Sequence, residues 1–149
     1  MHILFIEDMP EYKVGHLIDF LKYKKIDFTY EICKSVNSAL RYCVQNKDKI
    51  DLIVLDLGLP RFDDSNIFSD YAGLDIINEI CYIKKIRNIP IIINSETEIK
   101  PTDDDIDEKK WFELNFGTDV IIEHEKRLTG EILLEFINKH LKDKINITF

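Results

Sequence analysis

Four short apolar runs recur along this chain, each set apart from the next by a stretch with helical periodicity. That alternation limits the fold more than any other feature. The runs are HILFI (2–6), IDLIVL (50–55), IPIIIN (89–94) and DVIIE (119–123); a further segment, DFTYEIC (27–33), alternates and is rich in β-formers. A strand that is apolar at nearly every position needs cover on both faces, which parallel sheets obtain from their crossover helices. The intervening segments supply such helices. Val14, Leu17, Ile18 and Leu21 repeat at helical spacing after Pro10, which suits a first turn. Ser35 reads as an N-cap for a helix with Val36, Ala39, Leu40 and Cys43 on one face, and Leu74, Ile77, Ile80 and Cys81 form an inward face within 73–86. A weaker helix, IDEKKWFELNFG, ends at Gly117, and residues 129–141 close the chain as an amphipathic helix. The order is therefore βαβαβαβαβα. Right-handed crossovers leave few arrangements for it, and five strands are too few for an eight-stranded barrel. The expected fold is α/β, an open doubly wound sheet of five parallel strands in a single domain spanning residues 1–149.

Composition narrows the function. The formal charge of −8 argues against nucleic acid as a partner, because sequence-independent binding needs a basic face. No apolar stretch approaches the ~20 residues that span a bilayer, and no basic segment leads into a signal core, so the expectation is a cytoplasmic protein with no membrane association. Cys33, Cys43 and Cys81 are odd in number and lack CxxC spacing; they read as small buried hydrophobes. His2, His16 and His140 show no ligand spacing, and Trp111 and Phe112 read as anchors of their helix on the sheet. The acid-rich stretch ETEIKPTDDDIDE (96–108) reads as a solvated loop running into a helix start, where acids suit the helix dipole.

Open parallel sheets bind ligands beyond the carboxyl ends of their strands. At those ends this sequence places Glu7 and Asp8, then Asp56, then Asn94 and Ser95, then Glu123 and His124. If strands 1 and 3 are neighbours, Glu7, Asp8 and Asp56 share one small pocket. Three crowded carboxylates repel, and a divalent cation removes that cost. Mg²⁺ suits such a site, since it takes oxygen ligands at ~2.0–2.1 Å and keeps several waters. Taken alone, Asp8 is equally a helix cap.

These residues resemble the receiver domain of bacterial response regulators, the phosphoaccepting module of two-component signalling. The resemblance rests on ILFIEDMP, DLIVLDLGLP, GLDII, IPIIINSE and the closing strand and helix, and it covers nearly the whole chain. It implies the strand order 2-1-3-4-5. It makes Asp56 the phosphoacceptor, Asp8 a direct Mg²⁺ ligand, Glu7 an acid that acts through water, and Gly58 the residue whose backbone carbonyl binds the metal. Ser95 becomes the switch hydroxyl that hydrogen-bonds the phosphoryl group. The implied partners are a histidine kinase or phosphotransfer protein upstream and a protein partner downstream, with no enzyme activity beyond self-phosphorylation and dephosphorylation.

The sequence departs from that pattern in four places. The family carries a lysine at the end of its fifth strand; counted from Gly117, that position falls on Glu123 or His124, with Lys126 two or three residues late. Glu96 follows the switch hydroxyl where a small residue is usual, and Val120 and Ile121 occupy the stretch where an aromatic is expected. The segment RFDDSNIFSDYA (61–72) is long for its connection, and Phe62, Ile67, Phe68 and Tyr71 make it too apolar for a plain linker. Two readings follow: a stand-alone phosphorylatable receiver, or a pseudo-receiver that signals by protein contact without phosphorylation.

Overall fold

The computed structural model describes residues 1–99, 101 and 105–145. Its sheet contains five parallel strands, β1 (His2–Ile6), β2 (Thr29–Cys33), β3 (Leu52–Leu55), β6 (Ile91–Asn94) and β7 (Ile122–Glu125). A small antiparallel pair, β4 (Leu59–Pro60) and β5 (Phe68–Ser69), stands apart from it. The spatial order is β2-β1-β3-β6-β7, which is 2-1-3-4-5 when only the sheet strands are counted, as expected. The helices are α1 (Pro10–Lys13), α2 (Gly15–Tyr23), α3 (Val36–Gln45), α4 (Ala72–Asn78), α5 (Glu108–Phe116) and α6 (Gly130–His140). Among the described residues, no helix is long and apolar enough to cross a membrane.

The period-two geometry of the strands divides the core into two layers. Leu4, Ile6, Ile53, Leu55, Ile91 and Ile93 pack with α3, α4 and α5 through Val36, Ala39, Ile76 and Phe112. Ile3, Phe5, Leu52, Val54 and Ile92 pack with α2 and α6 through Leu17, Leu21, Leu133 and Phe136. Each large side chain buried here contributes roughly 1.5–3 kcal/mol, which is why the central strands tolerate almost no polar residue. Cys33, Cys43 and Cys81 belong to the first layer, and burial pushes their thiols up, that of Cys43 to about 12. Trp111 and Phe112 do anchor α5, with their rings edge-on at 5.4 Å.

Three expectations need correction. The last strand does not occupy 119–123 but begins three residues later, at Ile122. Asp119 is taken up by Arg87, which reaches its two oxygens at 2.5 and 2.7 Å, and Val120 drops into the core before the ladder starts. As an edge strand β7 is only half-buried along its length, so IEHE serves where a central strand would need continuous apolar residues. The segment after Pro10 is two helical pieces that meet at Val14, and Lys13 ends the first. The helix expected over 73–86 is α-helical only to Asn78; a π-helical turn, Glu79–Ile83, completes it.

Two glycines answer to geometry. Gly117 caps α5 with φ +93°, and its N–H donates to the Glu113 carbonyl at 2.9 Å. Gly73, in the first turn of α4, lies against the chain leaving β3: its N–H donates to the Leu57 carbonyl at 2.9 Å, and a Cβ there would meet the Asp56 carbonyl oxygen at 2.5 Å and Leu57 Cα at 2.8 Å. Both contacts are backbone, so nothing flexible can give way. Gly73→Ala is therefore expected to destabilise the fold by about 1–3 kcal/mol despite a better helix propensity. Urea unfolding would read this as a lower midpoint; an unchanged or higher midpoint would refute the close approach.

Candidate metal and phosphoacceptor site

The β1–β3 ladder brings the acids together. It runs to the Ile6–Leu55 pair and continues one step further, where the Asp56 N–H donates to the Ile6 carbonyl at 2.9 Å. Glu7 thus stands beside Asp56 at the carboxyl end of the two central strands. One carboxylate oxygen from each of Glu7, Asp8 and Asp56 lies within 4.8 Å of the others, as the sequence predicts. Glu7 and Asp56 are buried, 4% and 6% exposed, and Asp8 is half-buried.

At such separations each pair of ionised acids repels by about 3 kcal/mol with an effective dielectric near 20. Local contacts offset part of that. The Met9 N–H donates to Glu7 Oε1 at 3.2 Å, and the Gly58 N–H donates to Asp56 Oδ1 at 3.3 Å. Lys13 Nζ lies 3.7 Å from Asp56 Oδ2. The balance stays unfavourable: burial, then the charge of Asp56 and a hydrogen bond to it, push the Glu7 carboxyl up to about 8, against the opposing pull of Lys13. Without a cation, Glu7 therefore keeps its proton at neutral pH. Lys13 was not foreseen from the sequence. A lysine on the polar face of an amphipathic helix is too common to mark a site.

Ser95 emerges from β6, next to β3, and is 3% exposed. Its Oγ accepts from the Thr97 N–H at 3.3 Å, and its own N–H donates to the Glu125 carbonyl at 3.1 Å, one step past the Asn94–Glu125 pair. With β7 ending at Glu125, the residue that follows the strand is Lys126. Glu123 is engaged elsewhere, with Lys139 and His140 each at 3.2 Å. His124 is buried against Ser95 and Glu108. Lys126 pairs with Glu98 at 2.8 Å, both side chains being largely exposed. Glu96 is also exposed and pairs with Arg127 at 3.0 Å.

The segment 61–72 is ordered by the β4–β5 pair, by the Asn37 N–H donating to the Arg61 carbonyl at 2.9 Å, and by the Tyr71 hydroxyl donating to the Glu98 carbonyl at 3.4 Å. Asp63, Asp64 and Ser65 share with Asp8, Lys34 and Pro60 the wall of a cavity of about 730 Å³ beside the acids. Phe62, Ile67 and Tyr71 remain exposed. Of the acid-rich stretch 96–108, positions 100 and 102–104 lie outside the described residues; Asp107 caps α5, accepting from the Lys110 N–H at 2.8 Å.

No protein-family model matches the sequence, and no curated protein matches it. Solved structures do. The Mn²⁺-bound form of the response regulator Rcp1 superposes with a TM-score of 0.62 at 19% identity, covering 99% of each chain. A response regulator receiver domain protein from Clostridium thermocellum gives 0.63 at 20% identity, over 96% of this chain and 95% of that one. The CheX–CheY–BeF3–Mg complex from Borrelia burgdorferi gives 0.62 at 14% identity, over 93% and 88%. The chain has the fold of a response-regulator receiver domain.

The raised Glu7 carboxyl has a sign that can be tested. Its ordinary value is 4.5 and its folded value about 8, so the folded chain binds more protons than the unfolded one between those pH values. Stability must then fall as pH rises through that window and level off above about 8. Glu7→Gln keeps an acceptor for the Met9 N–H and removes the charge. Measured in chelator, its melting temperature should gain steadily on that of the unmodified chain from pH 5 to pH 9; parallel curves would show that Glu7 is not strained.

Proposed function

We propose that this chain is a receiver-like signalling module of the cytoplasm. It holds Mg²⁺ and accepts a phosphoryl group on Asp56 from a histidine kinase or phosphotransfer protein. The observation that carries this reading is the set of three carboxylates within 4.8 Å, buried enough that one of them keeps a proton. A donor set of hard, crowded, anionic oxygens fits a small divalent cation and has little other use. Asp8, Asp56 and the Gly58 carbonyl would hold it, with Glu7 acting through water. When bound, the cation neutralises charge on the phosphoryl oxygens.

The chain's own residues do the rest. An Asp56 carboxylate oxygen attacks phosphorus in line, the P–N bond of the donor phosphohistidine breaks with its electron pair returning to the imidazole, and an acyl phosphate remains. The Ser95 hydroxyl leaves the Thr97 N–H and donates to a phosphoryl oxygen. Lys126, at the exit of β7, supplies a positive charge on the same side as Ser95. That placement supports the phosphoacceptor reading over the pseudo-receiver one. The other reading draws on the pairing of Lys126 with Glu98. Signalling then proceeds by contact with a protein partner, without nucleic acid and without turnover of a separate substrate.

Two measurements test the proposal. After incubation with Mg²⁺ and acetyl phosphate, intact mass should show one added phosphate, absent from Asp56→Asn. A chain that binds Mg²⁺ but never takes the phosphate is the pseudo-receiver. Calorimetric titration should find Mg²⁺ affinity falling about tenfold per pH unit below about 8, one proton leaving Glu7 per cation bound. A flat profile would exclude Glu7 from the site.

A further inference from the structure

His124 is the most tightly engaged polar side chain near the site that the proposed chemistry does not use. It lies on β7 opposite Ile93, and its side chain is only 4% exposed. Nε2 is 2.8 Å from the Ser95 carbonyl oxygen, and Nδ1 is 2.7 Å from Glu108 Oε1. A carbonyl oxygen only accepts, so Nε2 carries hydrogen and donates. The ring is thus hydrogen-bonded at both nitrogens, to the Ser95 peptide carbonyl on one side and to the Glu108 carboxyl on the other.

The placement of the three residues gives this link a direction. Ser95 is the exit of β6, and Glu108 is the first residue of α5. The segment 96–107 joins them along the chain, while His124 joins them across it with two hydrogen bonds. The Ser95 hydroxyl closes a local turn through the Thr97 N–H, so withdrawing it frees the peptide whose carbonyl His124 holds. One turn along α5 from Glu108 is Trp111, packed on Phe112 and Phe116. Glu108 and Phe112 also line a groove of about 420 Å³ along the β7 edge, which any shift of α5 reshapes.

We propose that His124 is a positioning residue: a hydrogen-bonded strut between the Ser95 peptide and the first turn of α5, through which the state of Asp56 reaches that helix. The inference rests on the proposed phosphoacceptor role. Its mechanical content is separate, because it concerns how a change at Ser95 is transmitted and not whether phosphate is accepted.

Trp111 is the sole tryptophan, so its fluorescence reports on α5 without a label. The unmodified chain treated with Mg²⁺ and acetyl phosphate should show a change in Trp111 emission that follows the mass adduct. Glu108 is a third exposed and can be cut back without disturbing the core. Glu108→Ala should keep the adduct and lose at least four-fifths of the emission change, and His124→Phe should do the same, with no further loss in the double variant. Glu108→Gln should restore the response, because its carboxamide can still hydrogen-bond Nδ1 and rebuild the strut. That rescue separates a strut from a simple loss of helix stability. A full response in Glu108→Ala, or an adduct on the unmodified chain with silent Trp111, overturns the inference and leaves the phosphoacceptor role intact. An unmodified chain that takes no phosphate overturns both.

Discussion

Like-charge crowding at the carboxyl end of β1 and β3 is the constraint on which the rest of the site depends. The parallel register sets Glu7 beside Asp56, and no rearrangement short of breaking the central ladder can separate them. The surroundings respond to that fixed strain. Lys13 at the end of α1 leans on Asp56, backbone N–H groups of Met9 and Gly58 turn toward the acids, and Glu7 keeps its proton. Gly73 lets α4 approach the backbone just past Asp56, leaving no room there for a side chain. A protein built only for stability has no reason to keep this arrangement, since a buried acid with a raised pKa weakens the fold whenever it ionises.

How far the sequence discloses such an arrangement depends on burial. β1, β3 and β6 are covered on both faces, so their composition alone marks them, and the acids at their ends stand out against the apolar runs. The edge strand β7 escapes the same test. Its apolar neighbours Val120 and Ile121 mimic a strand, while the ladder residues include Glu123, His124 and Glu125. Misplacing that strand by three residues also misplaces its exit, read at Glu123 and His124 and found at Glu125 and Lys126. Lys13 and the His124–Glu108 contact are illegible for another reason. Each depends on which residues from distant segments meet, and neither residue type is unusual where it stands.

The segment 61–72 is an added element of the same face. It follows β4, pairs back onto that strand through β5, and returns to start α4 at the residue before Gly73. Its acids extend the negative field of the site outward along the cavity that Asp8 lines. A field of one sign in a cleft raises the local concentration of cations and speeds the encounter of a basic partner. The exposed Phe62 and Ile67 provide apolar area next to that field.

The ion pair between Lys126 and Glu98 is no obstacle to the proposed chemistry, and magnitudes decide the point. The two side chains are 63% and 48% exposed. Pairs of that kind contribute ~0–1 kcal/mol, because solvent screens them and both side chains lose entropy in forming them. A phosphoryl group adds about 1.5–2 negative charges at neutral pH. It would do so next to Asp56, where water is largely excluded and each charge acts with a lower dielectric. An attraction in that setting exceeds the surface pair it replaces, so Lys126 is held near the strand exit only loosely. The same comparison separates Lys126 from His124. One is a mobile charge on a weak tether, while the other is a buried ring with both nitrogens engaged, and only the second is stiff enough to carry displacement from one strand exit to a helix.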